Sequence, residues 1–395
     1  MGSLKISILT LDISHNCLGR AYLLAKILQR HHEVEIIGPV FGDGIWKPVE
    51  NDKSITYKSV KIYGRFKPYW LIKDLVKKID GDIIYASKPL FTSFGVGLFK
   101  KVFNSKPLIL DIDDWQMGFI KEAYNNLPLT HLFKSLVDST LFLYRMDSYW
   151  NTLFGEKLTR FADEITVSNN FLKDKFGGVI VWHGRDTDTF DPAKFDKYLI
   201  REKYQIERNK KVVMFFGTLR PHKGIEDLIK AVELIKNQDV VLVIVGIDYK
   251  DVYCLNLVET AKKRLGKKRF IDFGLQPFEK VPEFLAMSDV IVIPQRKNLA
   301  TFGQVPAKVF DAMAMAKPII ATKVSDLPEI LDGCGWTVEP ENQEKLVKAI
   351  EYVLNKSKEA EKMGWKARQK CIDKYSWDAM EKVLVEVFEK YEKNR

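Results

Sequence analysis

The sequence predicts a chain of two doubly wound α/β domains, and two features of its 395 residues lead to this prediction. First, short apolar runs rich in Val and Ile recur without polar alternation. Such runs are typical of strands that are buried on both faces of a parallel sheet. Second, segments with apolar residues three and four positions apart separate these runs, which is the spacing of amphipathic helices. Strands that alternate with helices are typical of doubly wound folds.

The strand candidates form two series. The first series comprises residues 5–11, 33–39, 82–87, 107–113, 164–168 and 179–184. The second series comprises residues 211–217, 240–246, 269–274, 290–294, 318–322 and 335–340. A polar stretch at residues 184–210 separates the two series and predicts a hinge near residues 184–195. We therefore expect an N-terminal Rossmann-like domain at residues 1–188 and a C-terminal one at residues 189–376.

The final segment predicts a helix. Residues 377–395 have an amphipathic pattern, and Ser376 directly before them is a suitable N-cap. We expect this terminal helix to pack back on the N-terminal domain.

Composition limits the class of protein. Apolar residues make up 46% of the chain and charged residues 29%, which indicates a globular protein. Its apolar runs are far shorter than the roughly twenty residues that span a bilayer, and the N-terminus has no export pattern. The four cysteines lie far apart and predict reduced thiols, so we expect a cytoplasmic protein. The net charge of +10 favours an anionic partner, which charge alone does not identify as nucleotide, lipid surface or nucleic acid.

Two segments of the N-terminal half combine aromatic and basic residues. Residues 63–79 and 115–160 have helical patterns and predict helices that pack on the N-terminal sheet. The alternative is a helix that faces an acceptor or an anionic membrane surface, at the inner face of the membrane.

Several common catalytic motifs are missing from the sequence. There is no G-x-G-x-x-G after the first strand and no G-x-x-x-x-G-K-[ST], so dehydrogenases and P-loop enzymes lose their main support. There is also no H-E-x-x-H, no G-x-S-x-G and no ligand cluster at metal spacing. We expect no metal site.

The stretch GTLRPHKGIEDL, residues 217–228, is the strongest local signal in the sequence. It follows an apolar run and precedes a helical pattern, so its turn lies between a strand and the N-terminus of a helix, where anions bind readily. Arg220 and Lys223 add a forked donor and a point charge, which together fit a diphosphate. The alternative is a solvated turn with incidental charges.

A second stretch, residues 301–322, again has the order loop, helix, strand. Gly303 and Gln304 precede the helix, while Lys308 and Asp311 fall in its first turns. An acid in this place is positioned to accept hydrogen bonds from ribose hydroxyls. The alternative is that Asp311 only interacts favourably with the helix dipole.

Together these stretches resemble retaining glycosyltransferases of family 4, which have the GT-B fold. The resemblance covers nearly the whole chain and is densest in residues 211–340. In that family the Lys of a K-G pair holds the donor diphosphate, a role that falls on Lys223. A second basic residue often follows the first Gly, where this chain has Thr218, and Arg220 is the candidate to replace it.

Other donor contacts follow from the same resemblance. Backbone groups around Leu275 would read the base, and Asp311 would bind the ribose. The loop with Phe302, Gly303 and Gln304 would face the donor. The chain is similar to a branch that reads Pro-x-Lys-x-Phe-acid, matched by Pro306, Lys308, Phe310 and Asp311. Many family members have a Glu where this chain has Ala300, and this departure bears on the contacts of the donor sugar.

The N-terminal half is similar to the family more loosely. Gly19 matches a Gly-containing loop near the donor phosphates. Asp114 matches the Asp of a His-Asp site, and Asp113 replaces the His. Further residues that the resemblance places at the cleft are Ser168, His183 and Asp186.

The resemblance implies an enzyme that moves a sugar from a UDP- or GDP-sugar to an acceptor hydroxyl with retention of configuration. It implies no metal and no cofactor beyond the nucleotide sugar, with Lys223, Arg220 and Asp114 in catalytic roles. The acceptor would be a glycan, a lipid-linked sugar or a small molecule. Two alternatives stay open: an epimerase of the same fold, and a nucleotide-sugar-binding protein without turnover, which Ala300 favours. The sequence carries no nucleic-acid-binding signature.

Overall fold

The computed structural model describes residues 3–61, 68–124 and 148–392. Contacts divide the chain into two compact units. Unit 1 lies within Met1–His183, Phe302–Gln304 and Met380–Arg395, and unit 2 lies within Gly184–Thr301 and Val305–Ala379. Each unit has its own parallel sheet.

The described part of unit 1 forms a seven-stranded sheet in the order β3-β2-β1-β4-β5-β6-β7. Its strands are β1 (Lys5–Leu9), β2 (Glu33–Val40), β3 (Thr56–Lys61), β4 (Ile83–Ser87), β5 (Leu108–Ile112), β6 (Glu164–Val167) and β7 (Val179–Ile180). Every neighbouring pair is parallel, with Ile8 opposite Ile36 on one side and Tyr85 on the other.

The sequence predicts each of these strands except β3. Its residues, TYKSVK, lie at the edge of the sheet and remain at least partly exposed. An edge strand of this kind has no continuous apolar run, so the pattern of a buried parallel strand does not apply to it. Strand β7 is shorter than predicted, and the Arg20 guanidinium binds the carbonyls of Val181 and Trp182 that follow it.

Within the described residues of unit 1, helices alternate with the strands, as expected for a doubly wound fold. They are α1 (Leu18–Leu28), α2 (Pro68–Lys78), α3 (Val96–Asn104), α4 (Gln116–Tyr124), α5 (Tyr149–Leu158) and α6 (Asn170–Phe176). The predicted helical segments at residues 63–79 and 115–160 fall partly outside the described residues, and α2, α4 and α5 are the portions inside them.

Unit 2 has a six-stranded parallel sheet in the order β10-β9-β8-β11-β12-β13. Its strands are β8 (Lys211–Phe216), β9 (Val240–Ile247), β10 (Phe270–Gly274), β11 (Val290–Ile293), β12 (Ile319–Thr322) and β13 (Trp336–Val338). The second predicted series is confirmed strand by strand. The four inner strands, β8, β9, β11 and β12, are buried along most of their length, which explains why continuous apolar runs predict them well.

The helices of unit 2 alternate with its strands. They are α7 (Lys197–Lys203), α8 (Ile225–Leu234), α9 (Val252–Leu265), α10 (Val281–Ala286), α11 (Leu299–Phe302), α12 (Lys308–Ala314), α13 (Leu327–Ile330), α14 (Gln343–Asn355) and α15 (Ser357–Tyr375). The core lies between the sheet and helices α8, α9 and α14, where Phe215, Ile244 and Leu228 are buried together.

The terminal helix α16 (Trp377–Glu392) begins where the sequence predicts. The Ser376 hydroxyl accepts a hydrogen bond from the Ala379 N–H at 3.1 Å, so the predicted N-cap is confirmed. From Met380 onward the helix belongs to unit 1, where the Phe388 ring lies 5.6 Å from the Tyr85 ring of β4. Among the helices within the described ranges, none is long and apolar enough to cross a membrane.

Both sheets reverse their strand order at one point. In unit 1 the reversal lies between β1 and β4, and in unit 2 between β8 and β11. Ligands of open parallel sheets bind at such switch points, outside the carboxyl ends of the strands. The loops that leave β1, β4, β8 and β11 are therefore the places to look for a site in each unit.

Candidate functional site

The basic turn of unit 2 leaves the carboxyl end of β8. Gly217, with φ of 102°, ends the strand, and Gly224, with φ of 67°, begins α8. Between them the Lys223 ammonium donates to the Thr218 carbonyl over 2.9 Å, which holds the side chain along its own turn. Arg220 donates to Asp251 over 2.9 Å, and both side chains of this pair are about one-third exposed. The structure therefore brings Thr218, Arg220 and Lys223 together at the switch point.

Lys308 approaches the same turn from another element. It is the first residue of α12, and its ammonium lies 3.7 Å from the centre of the Phe215 ring in β8. A side chain at Gly217 would place its Cβ only 3.1 Å from the Lys308 nitrogen, so the two positions are in direct contact. Burial lowers the pKa of Lys308 well below its ordinary value, and the charge of Lys223 adds to this effect.

Asp311 is buried and paired. Its carboxylate accepts hydrogen bonds from the Arg185 guanidinium, whose Nη2 lies 3.4 Å from Oδ2. Arg185 also lies over the Phe278 ring, with 5.5 Å between the guanidinium carbon and the ring centre. Burial raises the pKa of Asp311, and Arg185 opposes that shift. Arg185 is absent from the predicted site; its only signal in the sequence is its place directly after His183 and Gly184.

Polar groups without a partner gather after β11. Among the described residues, Gln295 Nε2, Asn298 Oδ1 and Lys308 Nζ are buried and make no hydrogen bond within the protein. Native proteins leave few such atoms unsatisfied, and a bound ligand is a common explanation. Gln295 and Asn298 are absent from the predicted site, although polar residues directly after a buried strand are a signal that could have found them. Leu275, predicted near the base, follows β10 and is exposed.

The switch point of unit 1 carries a compact ionic cluster. The Lys88 ammonium lies 2.6 Å from an Asp113 oxygen and 2.7 Å from an Asp114 oxygen. The Gln304 amide donates to the other Asp114 oxygen over 3.0 Å. Lys88 is buried and has φ of 76°, an uncommon backbone conformation for a residue with a side chain. The sequence predicts Asp113, Asp114 and Gln304, but it gives no indication of Lys88.

The two aspartates of this cluster differ in their affinity for protons. Burial raises the pKa of Asp113 to about 6, with Asp114 and Asp111 adding to the effect and Lys88 opposing it. Burial also acts to raise the pKa of Asp114, but Lys88, Gln304 and His183 outweigh it and hold that pKa below its ordinary value. Asp114 therefore stays ionised down to a lower pH than Asp113.

Unit 1 has a second buried ion pair, between Arg20 and Asp111. The Arg20 guanidinium donates to both oxygens of Asp111, over 2.8 and 2.9 Å, and neither side chain is more than 1% exposed. The Thr166 hydroxyl also donates to Asp111 over 2.8 Å. Arg20 lies in the first turn of α1, next to the predicted Gly19. This network joins α1 to β5 and β6, so we regard it as structural.

The remaining predicted residues have varied surroundings. Ser168 is buried, and its hydroxyl donates to the Asp113 carbonyl over 2.7 Å. The Gly303 carbonyl accepts from the Trp115 N–H over 3.2 Å, so this part of the segment Phe302–Gln304 contacts unit 1 residues. In unit 2, Asp186 accepts from the N–H groups of residues 188 and 189, which is a turn-forming role. Within the described residues no group of three or more His, Cys, Asp and Glu side chains has metal-binding geometry.

One family model matches the chain. The family of glycosyl transferases group 1 matches residues 196–370, which belong to unit 2 apart from Phe302–Gln304 and include the basic turn, Lys308 and Asp311. Among curated proteins, an uncharacterised glycosyltransferase of Methanocaldococcus jannaschii is 28% identical over 201 residues, covering 49% of this chain and 48% of its own length. The chain spans about half or less of the length of the first curated relatives that it matches.

Solved structures match the fold over nearly the whole chain. Sucrose-phosphate synthase from Thermosynechococcus elongatus has a TM-score of 0.75 at 15% identity, with 99% of this chain and 100% of that chain covered. HepE of Anabaena, solved in complex with UDP-glucose, has a TM-score of 0.75 at 17% identity, with 98% and 100% covered. The fold is thus GT-B, with two Rossmann-like parallel-sheet units, and residues 196–370 are similar to the glycosyl transferases group 1.

Proposed function

We propose that this protein is a retaining glycosyltransferase of family 4, in the Pro-x-Lys-x-Phe-acid branch, and that unit 2 binds a nucleotide-diphosphate sugar. The observation that carries the proposal is the group of three basic side chains, Lys223, Arg220 and Lys308, at the switch point of unit 2. The match of residues 196–370 to the group 1 family supports it.

The donor we propose is a UDP- or GDP-sugar. HepE of Anabaena binds UDP-glucose, which makes UDP-glucose the first donor to test here. Asp311 would accept from the ribose hydroxyls and Leu275 would lie at the base. Gly19, Thr218, Phe302, Gly303 and Gln304 complete the proposed donor site.

The main catalytic demand in this reaction is the charge that develops on the leaving diphosphate. Cationic side chains fixed before the reaction stabilise such charge without reorganisation. Lys223 is held along its turn by the Thr218 carbonyl, which fixes its direction. Arg220 is paired with Asp251 at the surface, and a half-exposed pair of this kind contributes at most about 1 kcal/mol. Arg220 can therefore exchange Asp251 for a phosphate at little cost.

We propose that these basic groups stabilise the leaving group without a divalent cation. The leaving phosphate oxygen would accept the proton of the acceptor hydroxyl on the face from which the sugar departs. This arrangement retains the anomeric configuration and needs no separate protein base.

Asp114 is the proposed residue for orienting acceptor or sugar hydroxyls. An ionised carboxylate accepts hydrogen bonds from hydroxyl groups, and its low pKa keeps it ionised at neutral pH. Lys88 and Gln304 hold its two oxygens in fixed directions. Asp113, Ser168, His183 and Asp186 remain weaker candidates for contacts with the acceptor, which would be a glycan, a lipid-linked sugar or a small molecule.

A panel of donors tests the proposal. UDP- and GDP-sugars are incubated with the protein, and we expect slow release of nucleoside diphosphate without an acceptor. A changed sugar that is still attached to the nucleotide would instead identify an epimerase. Thermal stabilisation by the nucleotide sugar without any turnover would identify a binding protein.

Lys223→Ala is expected to lower kcat/KM by two to three orders of magnitude, roughly the effect of removing one charge-stabilising group from an active site. Lys230→Ala is the matched control, because Lys230 is exposed on α8 of the same unit and contacts no proposed ligand group. Steady-state kinetics with the donor found in the panel measure both. Near-normal activity of Lys223→Ala would refute the phosphate assignment.

Lys88→Met is expected to destabilise the chain by about 3–5 kcal/mol, because it leaves the buried carboxylate of Asp113 and the partly buried one of Asp114 without their cation. Their pKa values in the folded variant then rise above the unfolded values, so stability falls as the pH rises from about 4 towards 8. Urea unfolding midpoints at several pH values measure this loss. Lys101→Met removes a partly exposed pair with Asp163 and a surface hydrogen bond to the Phe161 carbonyl, and should cost only about 1 kcal/mol at every pH. Equal losses of stability in the two variants would contradict the role of Lys88 as the counter-charge of Asp113 and Asp114.

We further propose that unit 1 binds the acceptor and makes peripheral contact with an anionic membrane from the cytoplasmic side. Helix α3 supports this, since Phe99, Val102 and Phe103 are 46%, 76% and 68% exposed next to Lys100 and Lys101. Sedimentation with liposomes tests it. We expect binding to vesicles with anionic lipid and release at high salt. Binding to neither these vesicles nor neutral ones would exclude membrane contact.

A further inference from the structure

Lys308 is a titratable group of unit 2 that is buried although no described neighbour offers its ammonium a hydrogen bond. Its side chain is 7% exposed, and its ammonium nitrogen makes no hydrogen bond to any described residue. Buried lysines are rarely left without a partner, because an isolated ammonium is costly to remove from water.

The Phe215 ring is a weak substitute for a hydrogen-bond partner. The attraction between a cation and an aromatic face is smaller than the cost of removing an ammonium from water. The ring at 3.7 Å therefore does not compensate for a buried positive charge, and the neutral amine is the favoured form.

The charged groups around Lys308 reinforce this conclusion. Lys223, on the turn before α8, repels a charge on Lys308, while Asp311 on the same helix attracts it. Asp311, however, is already engaged by Arg185. On α15, which packs against α12, Arg368 donates to the Ala314 carbonyl and Cys371 to the Phe310 carbonyl. None of these groups supplies Lys308 with a free counter-charge.

The side chains of Lys308 and Lys223 approach the same short piece of backbone, residues 217–218. The Lys308 nitrogen is 3.1 Å from the place of a Cβ at Gly217, and the Lys223 nitrogen is 2.9 Å from the carbonyl oxygen of Thr218. An anion held at this turn by Lys223 would therefore lie close to Lys308. Glycine at position 217 is what keeps the path between the turn and Lys308 open.

We propose that Lys308 is a charge switch of the donor site: a neutral amine in the free protein that takes up one proton from solvent when a diphosphate binds at the basic turn. This inference rests on the proposed nucleotide-diphosphate site and adds to it a regulation by pH. The anion supplies the counter-charge that the protein lacks, so the site gains a cation only when it holds its ligand.

The switch has a definite sign. Uptake of one proton on binding makes affinity fall as the pH rises between the pKa of Lys308 in the free protein and that in the complex, up to tenfold per pH unit. In the ligand-free protein, folding stability has the opposite pH dependence and rises with pH. The unfolded chain binds the Lys308 proton up to about pH 10, so the folded protein gains stability as the pH rises through that window.

The ligand-bound test is calorimetry with UDP and GDP as probes, between about pH 7 and about pH 9, where the phosphates have lost their last proton. Titration in two buffers of different ionisation enthalpy counts the protons exchanged. We expect uptake that approaches one proton per UDP or GDP bound, and its loss in Lys308→Met, which keeps the volume and removes the titrating group. Lys230→Met is the matched control and should behave like the unchanged protein.

The ligand-free test is the pH dependence of urea unfolding over the same range. The unchanged protein should gain stability with rising pH relative to Lys308→Met, which should fold and be no less stable near pH 7. Binding of UDP or GDP without proton uptake, or with uptake that persists in Lys308→Met, would overturn the switch and leave the donor site standing. Failure of both nucleotides to bind would overturn the proposed function and the switch together. A parallel pH dependence of unfolding in the two proteins would show that Lys308 is charged in the free state and would also overturn the switch.

Discussion

The close approach of backbone segments at the carboxyl end of β8 is the constraint on which the rest of unit 2 depends. A Cβ at Gly246 would lie 3.0 Å from the Gly217 carbonyl carbon, and a Cβ at Gly224 would lie 2.0 Å from the Pro294 carbonyl oxygen. Both contacts join β8 and its turn to neighbouring strands. Because no side chain fits there, the basic turn lies directly on the edge of the sheet. This brings Lys223 and Lys308 to opposite ends of the same peptide segment.

The two units treat buried charge differently. In unit 1, Arg20 has Asp111 and Lys88 has two aspartates, so each buried cation has its anion within the protein. Such pairs are retained for geometry more than for stability, because desolvation offsets most of their attraction. In unit 2, Arg185 uses the one nearby carboxylate, that of Asp311, and Lys308 receives none. The buried cation at the switch point of unit 2 thus lacks a carboxylate of its own, whereas Lys88 at the switch point of unit 1 has two.

The parallel strands could be predicted from sequence because a strand that is buried on both faces consists of a continuous apolar run, as in β9 and β11. The edge strand β3 is half-solvated and carries no such run, so the same reasoning misses it. The basic turn is also a local signal, since its residues are adjacent in sequence. Lys88 and Arg185 are different, because the partners that give them meaning, Asp113 and Asp311, lie 25 and 126 positions away. Only the fold brings them together.

The departure at Ala300 fits this division of charge. Ala300 is 4% exposed on the short helix α11, so a Glu in its place would add a carboxylate to the buried surroundings of the loop after β11. In a protein that has such a carboxylate, a buried lysine nearby would have an anionic partner and would stay protonated. The buried polar side chains without a partner in this loop, Gln295 and Asn298, are uncharged. An Ala at position 300 therefore fits the proposed switch, in which the ligand provides the negative charge for Lys308.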